Sequence, residues 1–543
     1  MKQPLRSING QSHMNHFCAS TIGIAFLASM TASAQQVDWL QSDPVNWTMN
    51  PGMPEHTLAS APGHLVAMRS VDVHVPGSLG VFGTVAMERR DPISGASLWN
   101  CIIGDSVSMA AATVDENGIA YFAGQFKEDQ LEICDGTTLQ YVGNAIDENA
   151  FLIAWDLEAD QLVWVKNLTA EVGGWHKVAA LAIDPNGDVW YAMTDFFEGI
   201  IARVDANGGT QDVRVITECK TIGSISFDPW GGLYVSGATD NAGFSFAGST
   251  PAVDDPYNMF VLRYTPDGSA GFVVFAEDIT FQEPMVVATD DGHAYIAGNV
   301  FDATNWGGFP VNGADWGSAA FIAKLDSSGT FQWLVESDPP GGSINGDVEA
   351  ARNSCIAIDE ENNVYFTGTL RGQIDWGNGV VSDGMTIGVR TLTVVAFDPN
   401  GVAQWARTSF PGGNVWAQTI TALAESDAVH FQAHVTNEFT MGAHTTNTGG
   451  SQAAVLGRIS GLPTAIHPID GPAEMFIWPN PISDLMLIHM ESNVAADLYN
   501  GSGQRIESLW LKAGVNGISM NAHAPGIYLL RLDDGRALRV VKE

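Results

Sequence analysis

The feature that most constrains this chain is an internal repeat. One pattern recurs: an apolar pair, an anchoring aspartate, a turn glycine, and a strand with an aromatic residue and a closing glycine. Its copies are VDENGIAYFAG (114–124), IDPNGDVWYAM (183–193), FDPWGGLYVSG (227–237), TDDGHAYIAG (289–298), IDEENNVYFTG (358–368) and a degenerate AESDAVHFQA (424–433). Glycine turns between alternating segments are typical of β-hairpins.

A second pattern accompanies the first: an alternating strand, a turn and often a tryptophan. Its copies are VAMERRDPISGASLW (85–99), FLIAWDLEADQLVW (151–164), IIARVDANGGT (200–210), FVLRYTPDGSA (260–270), FIAKLDSSGTFQW (321–333), TVVAFDPNGVAQW (393–405) and AVLGRISG (454–461). Paired hairpins form a four-stranded sheet that cannot bury both faces alone. Repeats every 45 to 70 residues or so therefore predict an all-β chain with a roughly seven-bladed β-propeller over 63–461.

The repeat assigns roles to its recurring residues. We expect the anchors to shape turns, because Asx side chains bond to nearby backbone amides; they are Asp115, Asp184, Asp228, Asp290 and Asp359. The strand aromatics and the later tryptophans should wedge between adjacent sheets; they are Tyr121, Tyr191, Tyr234, Tyr295, Tyr365, Trp99, Trp164, Trp333 and Trp405.

The first 34 residues have the pattern of a removable export signal. Lys2 and Arg6 precede the apolar STIGIAFLASM, and the small residues ASA end it. We predict cleavage between Ala34 and Gln35, followed by an N-terminal segment at 35–62. The apolar run is much shorter than the roughly 20 residues that span a bilayer.

Charge excludes one class of partner. The net charge of −37 becomes −39 once residues 1–34 are removed, and so acidic a surface repels nucleic acid. No cofactor is predicted, although weak extracellular calcium binding is compatible with this charge. The cysteines of the mature chain lie far apart and allow one or two disulfides without fixing a pairing; they are Cys101, Cys134, Cys219 and Cys355.

Two units of the repeat carry a family resemblance. IDEENNVYFTGTLRGQIDWGNG (358–379) and VVAFDPNGVAQWART (394–408) resemble the SBBP-type bacterial β-propeller repeat. The resemblance extends over about 63–461 and implies a fold but little shared chemistry.

The last part of the chain has a different period. After a Pro- and Gly-containing linker at 462–475, short alternating strands over 476–543 predict a small Ig-like β-sandwich. Its IWPNPISD start, LYNGSGQRI, APGIYLLRL and basic end resemble the type A C-terminal sorting domain of the type IX secretion system of Bacteroidota. The matching positions are Trp478, Pro479, Asn480, Pro481, Leu498, Tyr499, Gly503, Gly526, Tyr528 and Lys542.

This resemblance implies a route of export and a set of partners. The family is exported through the periplasm and an outer-membrane translocon, and a protease usually removes the sorting domain. The cargo is released or attached to surface glycolipid, so we expect a secreted or cell-surface protein. Residues from 465 onward contribute only −3 to the net charge, which leaves −36 on the preceding mature chain.

The repeat region offers few candidates for chemistry. Trp306, Trp316 and Trp376 follow strand-ending glycines and could stack on sugar rings, although recurrence at one place per repeat favours packing. The scattered His64, His74 and His176 do not have metal-ligand spacing. We expect a binding or scaffold protein for glycan or protein. The alternative is a hydrolase, or a quinoprotein-like oxidoreductase suggested by RDPISGASLW (90–99), with its site in the propeller mouth.

Overall fold

A computed structural model defines most of the chain. It describes residues 35–47, 53–76, 81–143, 148–174, 176–195, 197–239, 242–253, 258–277, 284–300, 304–313, 318–337, 346–423, 428–461, 477–478, 482, 485–490, 493–500, 504–532 and 537–542. The chain divides into two compact units, one ending at Pro463 and one beginning at Thr464. Both are built from β-strands, so the all-β prediction is confirmed.

The first unit is built mainly from antiparallel strands in several hydrogen-bonded sheets, one of which has eleven strands. We divide these strands into seven groups, called sheets I to VII, by their innermost strands. Strand β1 (Gln36–Trp47) precedes them and belongs to sheet VII. Sheet I contains β2 (His56–Ala61), β3 (His64–Pro76), β4 (Val81–Arg90) and the first part of β5 (Ser97–Val114). Sheet II contains the second part of β5 with β6 (Ile119–Phe126), the hairpin β7 (Gln130–Glu132) and β8 (Thr138–Gln140), and then β9 (Asn149–Asp156) and β10 (Gln161–Asn167).

Sheets III and IV each come from one stretch of chain. After helix α1 (Leu168–Val172), sheet III consists of β11 (Lys177–Ile183), β12 (Val189–Thr194), β13 (Glu198–Val204) and β14 (Thr210–Thr217). Sheet IV consists of β15 (Thr221–Phe227), β16 (Leu233–Thr239), β18 (Asn258–Tyr264) and β19 (Ala270–Glu277), while the short β17 (Ser245–Phe246) pairs back onto β14.

Sheets V to VII complete the unit. Sheet V consists of β20 (Met285–Ala288), β21 (Ala294–Val300), β24 (Ala319–Leu325) and β25 (Phe331–Glu336), with the hairpin β22 (Thr304–Trp306) and β23 (Phe309–Val311) between them. Sheet VI consists of β26 (Gly346–Ala350), β27 (Ile356–Ile358), β28 (Val364–Asp375), β29 (Val381–Asp383), β30 (Thr391–Phe397) and β31 (Ala403–Thr408). Sheet VII consists of β32 (Val415–Ala422), β33 (Ala428–Met441), β34 (His444–Ser460) and β1.

The segment 35–62, which we expected to be separate, is part of these sheets. Strand β1 lies antiparallel to β34 from Gln36↔Ser460 to Val45↔Gln452, and β2 is the innermost strand of sheet I. The expectation was wrong because neither strand carries the repeat pattern on which the boundary was based. Each strand nevertheless completes a sheet, β1 as a partner of β34 and β2 as a partner of β3.

Apolar side chains fill the spaces between successive sheets. A sheet with a neighbour on each side is therefore buried on both faces. The innermost strands β2, β5, β11, β15, β20, β27 and β32 contact one another in this order, and β32 in turn contacts β2. Small residues and aromatics from sheets II and III, such as Tyr121 and Tyr191, share one cluster. Trp190 points the other way and packs with sheet IV. Stacked antiparallel sheets of this kind are typical of propeller-like folds.

One contact recurs where the outermost strand of a sheet meets the next sheet. Trp164 of sheet II lies against Gly208 in the turn between β13 and β14 and donates its indole N–H to the carbonyl of Ala206 (3.2 Å). Trp333 of sheet V makes the same contact with Gly401 and the carbonyl of Pro399 (2.9 Å). Both glycines have positive φ, and an added Cβ would meet the ring.

One disulfide is assigned. Cys101 of β5 bonds to Cys134 after β7, with the two Cα atoms 5.7 Å apart, and closes a sequence separation of 33. Cys219 and Cys355 are free and buried. Burial raises the pKa of the Cys355 thiol to about 12, so this thiol is protonated at neutral pH.

The second unit has two antiparallel sheets that share one apolar core. Its strands are β35 (Ile477–Trp478), β36 (Leu485–Met490), β37 (Val494–Asn500), β38 (Arg505–Leu511), β39 (Gly514–Ser519), β40 (Gly526–Leu532) and β41 (Ala537–Lys542). One sheet has the order β35-β36-β39 and the other β38-β37-β40-β41. Alternation along β40 buries Tyr528, Leu530 and Leu532 and exposes Ile527 and Leu529.

Candidate binding site

The anchoring aspartates build turns. The Asp184 carboxylate accepts the backbone N–H groups of Asn186 (2.8 Å) and Asp188 (3.1 Å). Asp115, Asp228 and Asp359 accept the amides two and four residues ahead in the same way. The prediction for Asp290 was wrong by one residue. Thr289 occupies the anchoring position, and its hydroxyl accepts the backbone N–H of His293 (3.0 Å). These carboxylates are used by their own turns.

A cavity of about 320 Å³ lies where the innermost strands begin. Its lining comes from six sheets, I to VI, although the residues are spread over some 300 positions of sequence. Met109, Val178 and Met285 give it apolar walls, and Asn353 contributes an amide. This size is at the lower end of the range for small-molecule sites.

The charged residues of this cavity have opposite signs. Lys177, Lys220 and Arg352 line it together with Glu55. Burial, the larger effect, raises the pKa of Glu55, while attraction to Lys177 and then Arg352 lowers it. Cations thus outnumber carboxylates among the lining residues, although the overall charge of the chain is −37.

Backbone contacts fix the segment that carries Arg352. The Asn353 N–H donates to the carbonyl of Gln418 (2.8 Å), and the Asn353 side-chain amide donates to the carbonyl of His56 (2.6 Å). Arg352 Nη2 lies 3.8 Å from Glu349 Oε1. Arg352 Nε is buried and has no hydrogen-bond partner among the residues that the structure describes. The guanidinium therefore keeps donor capacity beside the cavity.

Two of the candidate stacking residues are buried, as their recurrence in the repeat favoured. Trp306 is 1% exposed and packs on Phe321, with ring centroids 4.5 Å apart. Trp376 is 4% exposed and donates its indole N–H to Ser382 Oγ (2.8 Å). The apolar side chains around these two rings cover the faces that a sugar would need, so both rings pack, which is the interpretation that their recurrence favoured. Trp316 lies outside the described residues.

The histidines have carboxylate neighbours but form no metal cluster in the described ranges. His64 Nδ1 lies 4.0 Å from Glu158, His74 Nδ1 3.8 Å from Asp72, and His176 Nε2 3.7 Å from Asp195. Each is one histidine with one carboxylate, which falls short of the three protein ligands of a typical site. Calcium binding stays a prediction.

The structure places part of the predicted sorting motif. Leu498 is fully buried, and the Tyr528 hydroxyl donates to the carbonyl of Ala524. Tyr499 is half-buried, and Lys542 is largely buried in β41 opposite Gly526. Trp478 pairs with Leu487 through the backbone. Pro479, Asn480, Pro481, Gly503 and Ala34 lie outside the described residues, whereas the Gln35 carbonyl accepts from Arg407 (2.6 and 3.0 Å).

The sequence interpretation missed the cavity residues. Lys177, Lys220 and Arg352 each stand at or just before the start of an innermost strand. That shared position within the repeat is the signal that could have identified them, since the starts of innermost strands gather at one end of stacked sheets.

Comparison with known families identifies the second unit. Residues 476–543 match the family described as "Secretion system C-terminal sorting domain". The chain is therefore exported by type IX secretion to the outer cell surface or the medium, and it interacts with that machinery. No helix in the described part of the chain is long and apolar enough to cross a membrane. No curated protein matches the sequence.

Solved structures resemble the chain only distantly. Quinohemoprotein alcohol dehydrogenase ADHIIG from Pseudomonas putida HK5 is 10% identical with a TM-score of 0.37, covering 83% of this chain and 79% of that one. PorZ, a surface component of the type IX secretion system of Porphyromonas gingivalis, is 9% identical with a TM-score of 0.14, covering 93% and 100%. Dipeptidyl peptidase 4 of Porphyromonas gingivalis is 10% identical with a TM-score of 0.29, covering 84% and 65%. Similarity at this level carries no argument about activity.

Proposed function

We propose that the protein is a surface or secreted binding protein in which sheets I to VII form a seven-bladed β-propeller of SBBP type. In this proposal the signal is cut between Ala34 and Gln35, the second unit is an Ig-like sorting domain, and a protease removes that domain. The propeller is then released or attached to surface glycolipid.

The observation that carries the binding role is the cavity lined by six sheets. A concave site with apolar walls and a few converging polar groups is the usual form of a small-molecule site. Lys177 and Arg352 can donate hydrogen bonds to a ligand. The recurring anchor aspartates hold turns, which favours placing recognition in the cavity.

The export part is tested by deleting residues 476–543. We expect the truncated protein to stop in the periplasm, because the translocon would have no sorting domain to recognise. Fractionation and immunoblotting measure this, with a Lys512→Gln full-length protein as a control that keeps the domain. Undiminished appearance of the truncated protein outside the cell would refute the proposed route.

The binding part is tested by glycan arrays and pull-downs with the mature chain. A partner that uses the cavity should be lost on Arg352→Gln and retained on Arg203→Gln, which removes a positive charge at the opposite end of sheet III. A partner that ignores both changes binds elsewhere and contradicts the assignment of the site.

One observation favours an extracellular hydrolase as a second candidate. Glu55 has a raised pKa in a cavity beside two cations, which is a common property of a general acid. If the protein hydrolyses a substrate, Glu55→Gln should remove that activity by a factor of about 100 or more. Turnover that depends on Glu55 would replace the binding-only proposal.

A further inference from the structure

We infer that the cavity binds a small anionic ligand whose negative charge is carried by carboxylate or phosphate groups. This inference rests on the proposed binding function and specifies the chemistry of its ligand. It follows from the composition of the cavity, from the state of Arg352 and from the charge of the rest of the chain.

The first argument is the concentration of positive charge. Lysine and arginine make up 24 of the 543 residues, whereas three of the 14 residues that line the cavity are Lys177, Lys220 and Arg352. Glu55 lines the same cavity and Glu349 lies 3.8 Å from Arg352, so the cations outnumber these two carboxylates by one. Gathering like charges is unfavourable unless an anion joins them, so this arrangement favours a ligand of opposite charge.

The second argument is donor geometry. Arg352 Nε is buried without a hydrogen-bond partner in the described part of the chain, and the neighbouring Asn353 is fixed by bonds to His56 and Gln418. A guanidinium whose backbone is fixed loses less freedom on binding than a free surface arginine. Its planar group of donors fits two oxygens of one carboxylate or phosphate.

The third argument concerns ligand size. The volume of about 320 Å³ admits a small molecule. The mature chain before residue 465 carries −36, so it repels extended polyanions at a distance. A small anion inside the cavity is instead close to the three cations, within a Debye length of about 8 Å. For a small anion the attraction to these nearby cations therefore outweighs the repulsion by the rest of the chain, whereas for an extended polyanion it does not.

Substitution of Glu55 supplies a test in which anion binding should become stronger instead of weaker. Its carboxylate is close enough to Lys177 and Arg352 for both to affect its pKa. It therefore competes with any anionic ligand for the same cations. Neutralising this carboxylate should strengthen anion binding, an effect that a misfolded variant could not imitate.

The experiment is isothermal titration calorimetry on the mature chain from residue 35 onward, at constant ionic strength. The probes are citrate, inorganic phosphate and a neutral hexose. We expect citrate, phosphate or both to bind, and the hexose not to bind. Citrate alone indicates a carboxylate ligand, and phosphate alone a phosphorylated one; either supports the inference.

Four variants test whether an anion that binds does so in the cavity. Lys177→Gln and Arg352→Gln should each weaken binding by about ten- to a hundredfold, the usual effect of losing a hydrogen bond to a charged group. Glu55→Gln should tighten it severalfold. Arg203→Gln is the matched control and should leave it unchanged, because Arg203 pairs with Asp188 (2.7 Å) away from the cavity.

Two results would overturn the inference. One is the absence of any binding by both anions to a wild-type protein that circular dichroism shows to be folded. The other is anion binding that the cavity variants do not change. If a neutral glycan binds instead and Arg352→Gln abolishes that binding, the proposed binding function stands and only the anionic ligand class is wrong.

Discussion

Sheet VII and sheets III to VI differ in how the chain builds them. Each of sheets III to VI comes from one stretch of sequence, whereas sheet VII combines β32, β33 and β34 with β1 from the beginning of the described chain. Local hairpins specify the continuous sheets, while pairing over some 400 residues specifies sheet VII. The closing of a repeat architecture is thus its least local step.

Sheet VII nevertheless makes the same tryptophan contact as sheets II and V. Trp39 of β1 lies against Gly95 in the turn between β4 and β5, and its indole N–H donates to the carbonyl of Ile93 (2.6 Å). The acceptor precedes the glycine by two residues, as it does for Trp164 and Trp333. Strand β1 therefore supplies the tryptophan that this sheet would otherwise lack.

The junction between sheets VII and I is also more polar than the others. Its apolar cluster is small and contains Leu58, Leu65, Ala67 and Leu456. Beside it, Asp43 of β1 pairs with Arg90 (2.7 Å), and Glu88 pairs with Arg69 (2.8 Å). Charge pairs demand correct partners, so such a network favours one register for β1 over slipped alternatives.

The largest expected effect comes from deleting residues 36–47. Without β1, strand β34 loses its antiparallel partner, and Arg69 and Arg90 lose Asp43. We expect the first unit to fail to fold cooperatively at 25 °C. Thermal unfolding followed by circular dichroism measures this, and adding the 36–47 peptide back should restore part of the transition. A cooperative, near-native transition without β1 would show that the other six sheets suffice.

Acid should come next, because buried histidines gather at this junction. Burial lowers the pKa values of His430 and His434 to about 4, and that of His56 well below its usual value. Below pH 6.5 the unfolded chain therefore binds more protons than the folded one, and stability falls as the pH falls. Between pH 6.5 and 5 we expect a loss of roughly 1.5 kcal/mol from each of His430 and His434.

Urea unfolding at pH 7, 6 and 5 tests this prediction. His430→Asn should reduce the slope of stability against pH by the share of that histidine. The groups around these rings include Arg458, Asp38, Arg352 and Arg69. A stability that does not change between pH 7 and 5 would contradict the neutral burial of the histidines.

A matched pair of substitutions compares the two kinds of sheet directly. Trp39→Ala and Trp164→Ala each remove a half-buried ring and one hydrogen bond, at about 2 kcal/mol. We expect hydrogen exchange to rise along β34 for Trp39→Ala, because β1 is held by non-local contacts. For Trp164→Ala exchange should rise only near Gly208. Equal, local changes in both variants would remove the distinction.

The smallest expected effect concerns Trp405, which has no turn of the next sheet to pack against. Trp405 of sheet VI is buried, and its Nε1 has no hydrogen-bond partner within the described ranges. The next sheet has no turn between its third and fourth strands, since these are β34 and β1. Trp405→Phe should therefore cost nothing or gain about 1 kcal/mol, whereas Trp333→Phe should lose about 1 kcal/mol. Calorimetry of the two variants checks the sign.

Much of the fold could be predicted because hairpins are local. The patterns around Asp184, Asp228 and Asp359 identified turns that the structure contains, and the alternation of APGIYLLRL predicted a strand that the structure contains as β40. Asp290 was wrongly chosen as the anchor of its turn. The hydroxyl of Thr289, one position earlier, accepts the backbone amide of His293, and a pattern that looks for aspartate does not detect a threonine in this role. The recurrence of Trp306 and Trp376 at one place per repeat favoured packing, and both rings are buried.

The sequence alone determined the all-β class, the repeated hairpins and the export label, because each depends on residues that are neighbours along the chain. Tertiary structure alone decided that β1 completes sheet VII, that Cys101 pairs with Cys134, and that Glu55, Lys177, Lys220 and Arg352 meet in one cavity. These features join residues that lie far apart in the chain. Their proximity depends on how the sheets stack, which local patterns do not encode.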